Sequence, residues 1–224
     1  VTGQMIVRGA PLPVQVKGYM SGEVVRVLPD EGCEIEADVA YVQGIFGVGG
    51  ETAGVLMTAC ASHDEVLDAH HITADMKSAI IIGGGRMTAE AVAEARKVGA
   101  AAIVSGGIDD SDLKDMLGYD LGVAITGREQ LGITVIVTEG FGEIAMAQRT
   151  FDMLNGFAGT HASVNGATQI RAGVMRPEVI IPLASPPAQD ADQTFEEGQL
   201  VIGRTLRVIR DPWFGMIGEV SALP

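Results

Sequence analysis

Lysine is scarce in this chain, with Lys17, Lys77, Lys97 and Lys114 set against eleven arginines. That scarcity argues against a polybasic segment of the kind that docks on a membrane surface. Positive charge as a whole is in deficit: the formal net charge is −14 and the pI about 4.5. The summed field therefore repels nucleic acid unless a local basic patch overrides it. Long hydrophobic runs are missing as well, none approaching the roughly 18 apolar residues that a spanning helix needs, and no secretory signal is expected. Cysteine is limited to Cys33 and Cys60, in different segments and without C-x-x-C spacing. Neither a disulfide framework nor a zinc signature is indicated; both read as small buried hydrophobes in a chain expected in a reducing cytoplasm. Aromatics make up only 4% of the residues, so the core has to be built from Val, Ile, Ala, Leu and Met.

The 224 residues include 47% apolar side chains, enough for one large domain or two to three small ones, and 30 glycines, which signal many tight turns between short elements. The first residue is Val1, consistent with a processed product or an excised set of domains. The pattern predicts an α/β core, a short and mostly parallel sheet with flanking helices, carrying small all-β modules at both ends.

Residues 1–58 read as β structure: alternating runs at Val14–Val16, Glu23–Leu28 and Cys33–Ile35 are separated by Gly18, Gly22 and the turn Pro29-Asp30-Glu31-Gly32. They predict a barrel or sandwich. The repeated Gly-x-Val-x-x-Val spacing before an acidic turn loosely resembles the barrel-sandwich folds of biotinyl and lipoyl domains; no lysine stands at the hairpin tip that those domains modify, so no attachment site is implied. The glycines of "GIFGVGG" (44–50) read as strand-turning residues of such a barrel, with a flexible ligand loop as the alternative.

Residues 59–76, "ACASHDEVLDAHHITADM", read as a polar linker with a helical turn or two. On a helix His63, Leu67 and His70 would share a face beside Asp64 and Asp68, making His63 and His70 weak metal-ligand candidates. The spacing matches no strong zinc signature, so the expectation is no metal and a solvated connector.

From residue 77 to 183 the pattern alternates. "KSAIIIGG" reads as a buried strand and "TAEAVAEARKVGA" as an amphipathic helix with Ala91, Val92, Ala95 and Val98 inward. "AAIVSGG" is a second strand, and "DDSDLKDMLG" a short helix stopped by Gly118. "GVAIT" (122–126) and "ITVIVTEGFG" are further strands, and "EIAMAQRTFDMLNGF" a longer helix. A right-handed crossover makes the first two strands parallel neighbours. Only six residues separate Thr126 from Ile133, fewer than a parallel crossover usually needs, so that pair is antiparallel or joined by one helical turn between non-adjacent strands. This segment resembles no family of known activity.

A Pro- and acid-rich linker, 184–197, precedes the last part. In 198–224, Gly203, the alternating Leu206 and Val208, the turn Asp211-Pro212-Trp213-Phe214-Gly215, then Gly218 and Val220 resemble the KOW motif of NusG-type transcription factors and some ribosomal proteins. The resemblance implies a small SH3-like β-barrel. Only four residues follow Val220, too few for the remaining strands, so this is a partial module expected to continue past Pro224.

Ligands of an open α/β sheet bind outside the carboxyl ends of its strands. Gly83, Gly84, Gly85 and Arg86 follow the first strand, Gly106 and Gly107 end the second, and Thr138 and Glu139 end the fourth. Glycines admit a close ligand, the free N–H groups of the following helix favour an anion, and Arg86 could add a bidentate clamp. The same letters also read as a plain turn with Thr88 as helix N-cap, since they match neither a dinucleotide fingerprint nor a P-loop. Glu139 is the weak candidate for a catalytic acid or base; no Ser/His/Asp set emerges. Arg171 and Arg176, with Arg204, Arg207 and Arg210, are either a local basic face or arginines solvating strands.

Three functional readings follow. The favoured one is a non-enzymatic accessory or interaction protein that binds a protein partner or itself. The alternative is a protein or enzyme that binds an anionic small molecule, a phosphate or carboxylate, at the edge of the sheet. The third is contact with RNA or the ribosome through the KOW-like end, the one place where nucleic acid is expected. No cofactor is specified by the residues, and no membrane association is expected.

Overall fold

The computed structural model describes residues 18–118, 131–168, 175–183, 201–203, 205–207 and 217–223. The chain is sheet-rich, with a mixed sheet and three α-helices among these residues. The strands are β1 (Glu23–Leu28), β2 (Gly32–Glu36), β3 (Val39–Gln43), β4 (Phe46–Val48), β5 (Glu51–Thr58), β6 (Ile80–Ile82), β7 (Arg86–Met87), β8 (Ala102–Ile108), β9 (Thr134–Phe141), β10 (His161–Asn165), β11 (Glu178–Pro182), β12 (Thr205–Arg207) and β13 (Ile217–Glu219). The helices are α1 (Ala89–Val98), α2 (Asp110–Leu117) and α3 (Gln148–Gly156). The strand expected at 122–126, the linker expected at 184–197, the turn expected at 211–215 and Arg171, Arg204 and Arg210 lie outside the described residues; Arg176 is exposed.

Local chemistry explains the helices. Thr88 caps α1, its Oγ1 accepting from Ala91 N–H at 3.2 Å, and Gly99 ends the helix at φ 84°. Ala91, Val92 and Ala95 form its buried face, a stripe at helical spacing. Gly118, at φ 75°, ends α2, a conformation that costs glycine little and other residues more.

The main sheet has nine strands. Its path is β3-β11-β10-β5-β6-β8-β9-β4, with β7 paired to β8 off that path. The run β5-β6-β8-β9 is parallel throughout; β4 on β9, and β10 and β11 beyond β5, are antiparallel. Ile80, Ile81 and Ile82 of β6 are all fully buried. Since successive strand residues face opposite sides, both faces of the central strand are covered. Helix α3 packs against β5 and β6, and α1 against α2.

The two ends of that path, β3 and β4, are separated in sequence only by Gly44 and Ile45. Eight strands laid flat would hold their outer members about 34 Å apart, at about 4.8 Å per step. The chain from Gln43 to Phe46 reaches at most about 11 Å, so the sheet curls until its ends meet. Residues 39–48 are one bent strand serving both ends: Gly44 N–H donates to the Pro177 carbonyl before β11 (2.7 Å), and Ile45 N–H to Val137 of β9 (2.8 Å). The closure is tight. A Cβ on Gly44 would lie 2.9 Å from Ile136, Pro177 and Val137 atoms, and one on Gly47 2.7 Å from the Gly166 carbonyl. Thr168 fastens the seam, its Oγ1 accepting from Gly47 N–H at 2.8 Å and donating to the Gly47 carbonyl at 3.0 Å. The glycines of 44–50 thus bend and close a strand.

This pairing redraws the expected boundaries. Residues 39–58, expected within a separate 1–58 module, supply β3, β4 and β5 to the main sheet, because their backbone donors and acceptors find partners on β11, β9, β6 and β10. Residues 59–76, expected as a solvated linker, are a packed crossover: Cys60, Leu67, Ile72 and Met76 are buried in the core. Outside the sheet stand two antiparallel hairpins, β1-β2 and β12-β13.

Closure predicts a position-dependent cost of adding one methyl group. Gly47→Ala is expected to lower unfolding stability by about 1–3 kcal/mol through overpacking. Gly50→Ala, where a Cβ meets nothing within 4 Å, should stay within about 0.5 kcal/mol. Urea denaturation of both variants checks the difference.

Candidate functional site

The four parallel strands point the same way, so their carboxyl ends gather at one end of the sheet. The crossover leaving β5 folds back over the loop leaving β6. Gly85 N–H donates to the Glu65 carbonyl (2.7 Å), Leu67 N–H to the Arg86 carbonyl (2.9 Å) and Thr88 N–H to the Leu67 carbonyl (3.0 Å). Leu67, fully buried, bridges to Met87 and anchors this layer.

That layer gives the glycine run a clear structural task. A Cβ on Gly84 would stand 2.3 Å from the Ser62 carbonyl, and one on Gly85 2.9 Å from that of Asp64. Two of the donors an anion would use are engaged within the protein: Gly83 N–H goes to Val104 (2.8 Å) and Gly85 N–H to Glu65. Gly106 and Gly107 donate to the Gly84 and Gly85 carbonyls (3.0 and 3.1 Å), and Ser105 Oγ to Gly85 (2.6 Å). A Cβ on Gly106 would stand 2.4 Å from the Met146 nitrogen and 2.6 Å from the Ile144 carbonyl.

Arg86, Gly107 and Gly140 do come into register across β7, β8 and β9. Their charged neighbours point to separate tasks. Arg86 Nη1 lies 2.8 Å from both Asp109 Oδ2 and Asp112 Oδ2, at the start of α2, and Arg86 Nε lies 3.9 Å from Glu143. The Arg86 side chain is four-fifths buried, and these carboxylates balance its charge. Glu139 is buried, and its Oε1 accepts from Ala147 N–H (2.9 Å) at the entry to α3. Thr138 Oγ1 donates to the Ser105 carbonyl at 3.3 Å.

The histidines also separate. Residues 59–76 form turns, with 3-10 segments at Ala69–His71 and Ala74–Met76, so no helical face joins His63 to His70. His63 Nδ1 pairs with the Met146 carbonyl (2.8 Å). His70 is exposed, paired with Asp68 and stacked on His71 at 3.8 Å between ring centres.

A different constellation forms instead. The donor atoms of Cys60, Glu65 and His71 lie within 4.8 Å of one another; a second group, Asp68, His70 and His71, shares the last residue. Among the described residues His63 belongs to neither. Glu65 Oε1 is 3.0 Å from His71 Nε2, and its Oε2 accepts from Ala61 N–H at 2.6 Å. Those bonds, the histidine's first, hold the Glu65 carboxyl below its usual range. Asp68 is lowered chiefly by the His70 N–H, and burial pushes the Cys60 thiol up to about 11. Asp68 N–H donates to His71 Nδ1 (3.2 Å), which fixes the ring. The spacing Cys-x4-Glu-x5-His was present in the sequence, but only the turn at 61–65 and the 3-10 turn at 69–71 bring its members together.

No family model, curated protein or solved structure matches this chain.

Replacing Arg86 tests its role directly. Arg86→Ala leaves the Asp109 and Asp112 carboxylates, partly buried, without their counter-charge and is expected to cost about 1–3 kcal/mol of stability. Adding Asp112→Asn should recover part of that loss in thermal unfolding. A residue serving only to clamp a ligand would leave the melting temperature unchanged.

Proposed function

We propose that this chain is a non-enzymatic accessory protein: an α/β core whose flanking β modules dock onto a protein partner. The observation that carries this reading is the exposure of β1-β2. Val24, Val25, Val27 and Ile35 are 52%, 52%, 69% and 40% exposed, and ten of the hairpin's eleven strand residues are exposed, leaving only Leu28 partly covered. A two-stranded hairpin is marginal alone in water, and contiguous exposed apolar surface marks interaction sites. The second hairpin supports the same reading, with Ile202, Leu206 and Leu223 exposed at 64%, 43% and 43%.

Charge narrows the partner. Glu23 and Glu36 face each other at one end of the hairpin and Asp30 and Glu31 stand at its turn, while Arg26 is paired to Glu34 between the apolar pairs. Apolar pairs bounded by acids at both ends fit a partner surface that is apolar with basic edges. The spacing of Gly203 and Gly218 about β12-β13, with Gly203 N–H donating to Val220 at 2.7 Å, is compatible with a KOW-like module at 198–224. We assign that module to protein contact, because the net charge of −14 opposes RNA.

A photo-crosslinking residue at Val27 in the full chain is expected to capture one protein reproducibly. Val24→Lys with Val25→Lys should cut capture at least tenfold without lowering the melting temperature, and a chain ending at Ala188 reports the share of the terminal module. Equal capture by wild type and the lysine variant, or crosslinks to RNA alone, overturns the reading.

A further inference from the structure

We propose that Cys60, Glu65 and His71 form a mononuclear site for a zinc-class divalent metal ion, bound through sulfur, carboxylate oxygen and imidazole nitrogen. The argument begins with distance. In a tetrahedral site with bonds of about 2.0–2.3 Å, neighbouring donors stand about 3.3–3.8 Å apart. Here Glu65 and His71 are already at 3.0 Å and all three donors are within 4.8 Å, so side-chain adjustment of about 1 Å completes the geometry.

Donor chemistry selects the ion. Calcium and magnesium take oxygen, whereas one thiolate with one imidazole suits zinc and its neighbours in the first transition row. A thiolate and a carboxylate also neutralise a divalent charge, which matters where Cys60 is 2% exposed and the His71 side chain 11%. Glu65, at 36% side-chain exposure, opens the fourth position to water.

A supporting bond is in place at Glu65: Ala61 N–H holds its Oε2, leaving Oε1 for the ion. Such outer contacts orient ligands. His71 pays the adjustment: its Nδ1 accepts from Asp68 N–H, so the neutral ring carries its proton on Nε2. Coordination through Nε2 moves that proton to Nδ1 and gives up the 3.2 Å bond, while the Cys60 thiol releases its proton to solvent. The ion thereby cross-links the start of the β5–β6 crossover, at Cys60, to its 3-10 turn at His71. The site goes beyond the docking role and does not depend on it.

Cobalt is the probe, because a cobalt–thiolate bond gives an intense near-ultraviolet charge-transfer band. Titration of the reduced, chelator-treated full chain with Co2+ is expected to raise this band to saturation at one equivalent, and one equivalent of Zn2+ to abolish it. Cys60→Ser should remove the band, and Cys33→Ser, at the exposed cysteine, should keep it. Glu65→Gln, which preserves size and one acceptor oxygen, should weaken cobalt binding at least tenfold with an unchanged circular-dichroism spectrum. No band in the wild type overturns the proposal. So does a band that survives Cys60→Ser, one that disappears in Cys33→Ser, or cobalt binding without thiolate character, which would place the ion at Asp68, His70 and His71.

Discussion

Gly44 and Ile45 are all that separates the two ends of the main sheet, and the rest of the architecture depends on that short reach. A chain that can span only about 11 Å cannot join the edges of a flat eight-strand path. The sheet must therefore curl, and residues 39–48 must serve β11 with one half and β9 with the other. Backbone hydrogen bonding enforces this, since an unpaired buried N–H or carbonyl would cost about as much as a lost hydrogen bond. Gly44, Gly47 and Gly166 follow from the same requirement, because a side-chain carbon at any of them would meet a backbone carbonyl within 3 Å.

With the sheet curled, the carboxyl ends of β5, β6, β8 and β9 are brought under a second layer of chain, the crossover 59–76. Backbone packs on backbone there, and the glycines that look like a phosphate cradle are the residues that let it do so. In an acidic protein, Arg86 is a natural magnet for carboxylates, and Asp109 and Asp112 reach it before any ligand needs to. The crossover in turn gathers Cys60, Glu65 and His71. The hairpins proposed for docking lie elsewhere, outside the main sheet's own hydrogen bonding, so the proposed partner contact and the Cys60 cluster occupy separate parts of the chain.

Much of the secondary structure was legible because it is encoded locally. The α1 helix carries its cap at Thr88, its stop at Gly99 and its buried stripe of Ala91, Val92 and Ala95 within twelve consecutive positions. The all-apolar triplet of β6 reads as a doubly covered strand, and it is one. The domain boundaries were not legible. Nothing in the letters of 39–58 says whether those strands pair with the hairpin before them or with β6, β9, β10 and β11, since strand pairing partners lie up to 143 positions away, as Val39 and Pro182 illustrate through β3 and β11. The cluster at Cys60 was hidden for a related reason: its spacing fits no helix or strand period, and a helical reading of 59–76 scatters its members.

The sequence by itself determined where α1 and α2 start and stop, which side chains seek the interior, and that the protein is acidic and glycine-rich, whereas the helix expected over 143–157 begins only at Gln148; the former are properties of neighbouring residues and of sums over the chain. Only the tertiary structure decided that the sheet closes, that Gly83–Gly85 accommodate backbone, that Arg86 is balanced by α2, and that sulfur, carboxylate and imidazole converge at the end of β5. Each of these depends on distances between residues far apart in sequence or across irregular turns. Those distances are fixed by the collective need to pair buried backbone groups and fill the core, which no local pattern records.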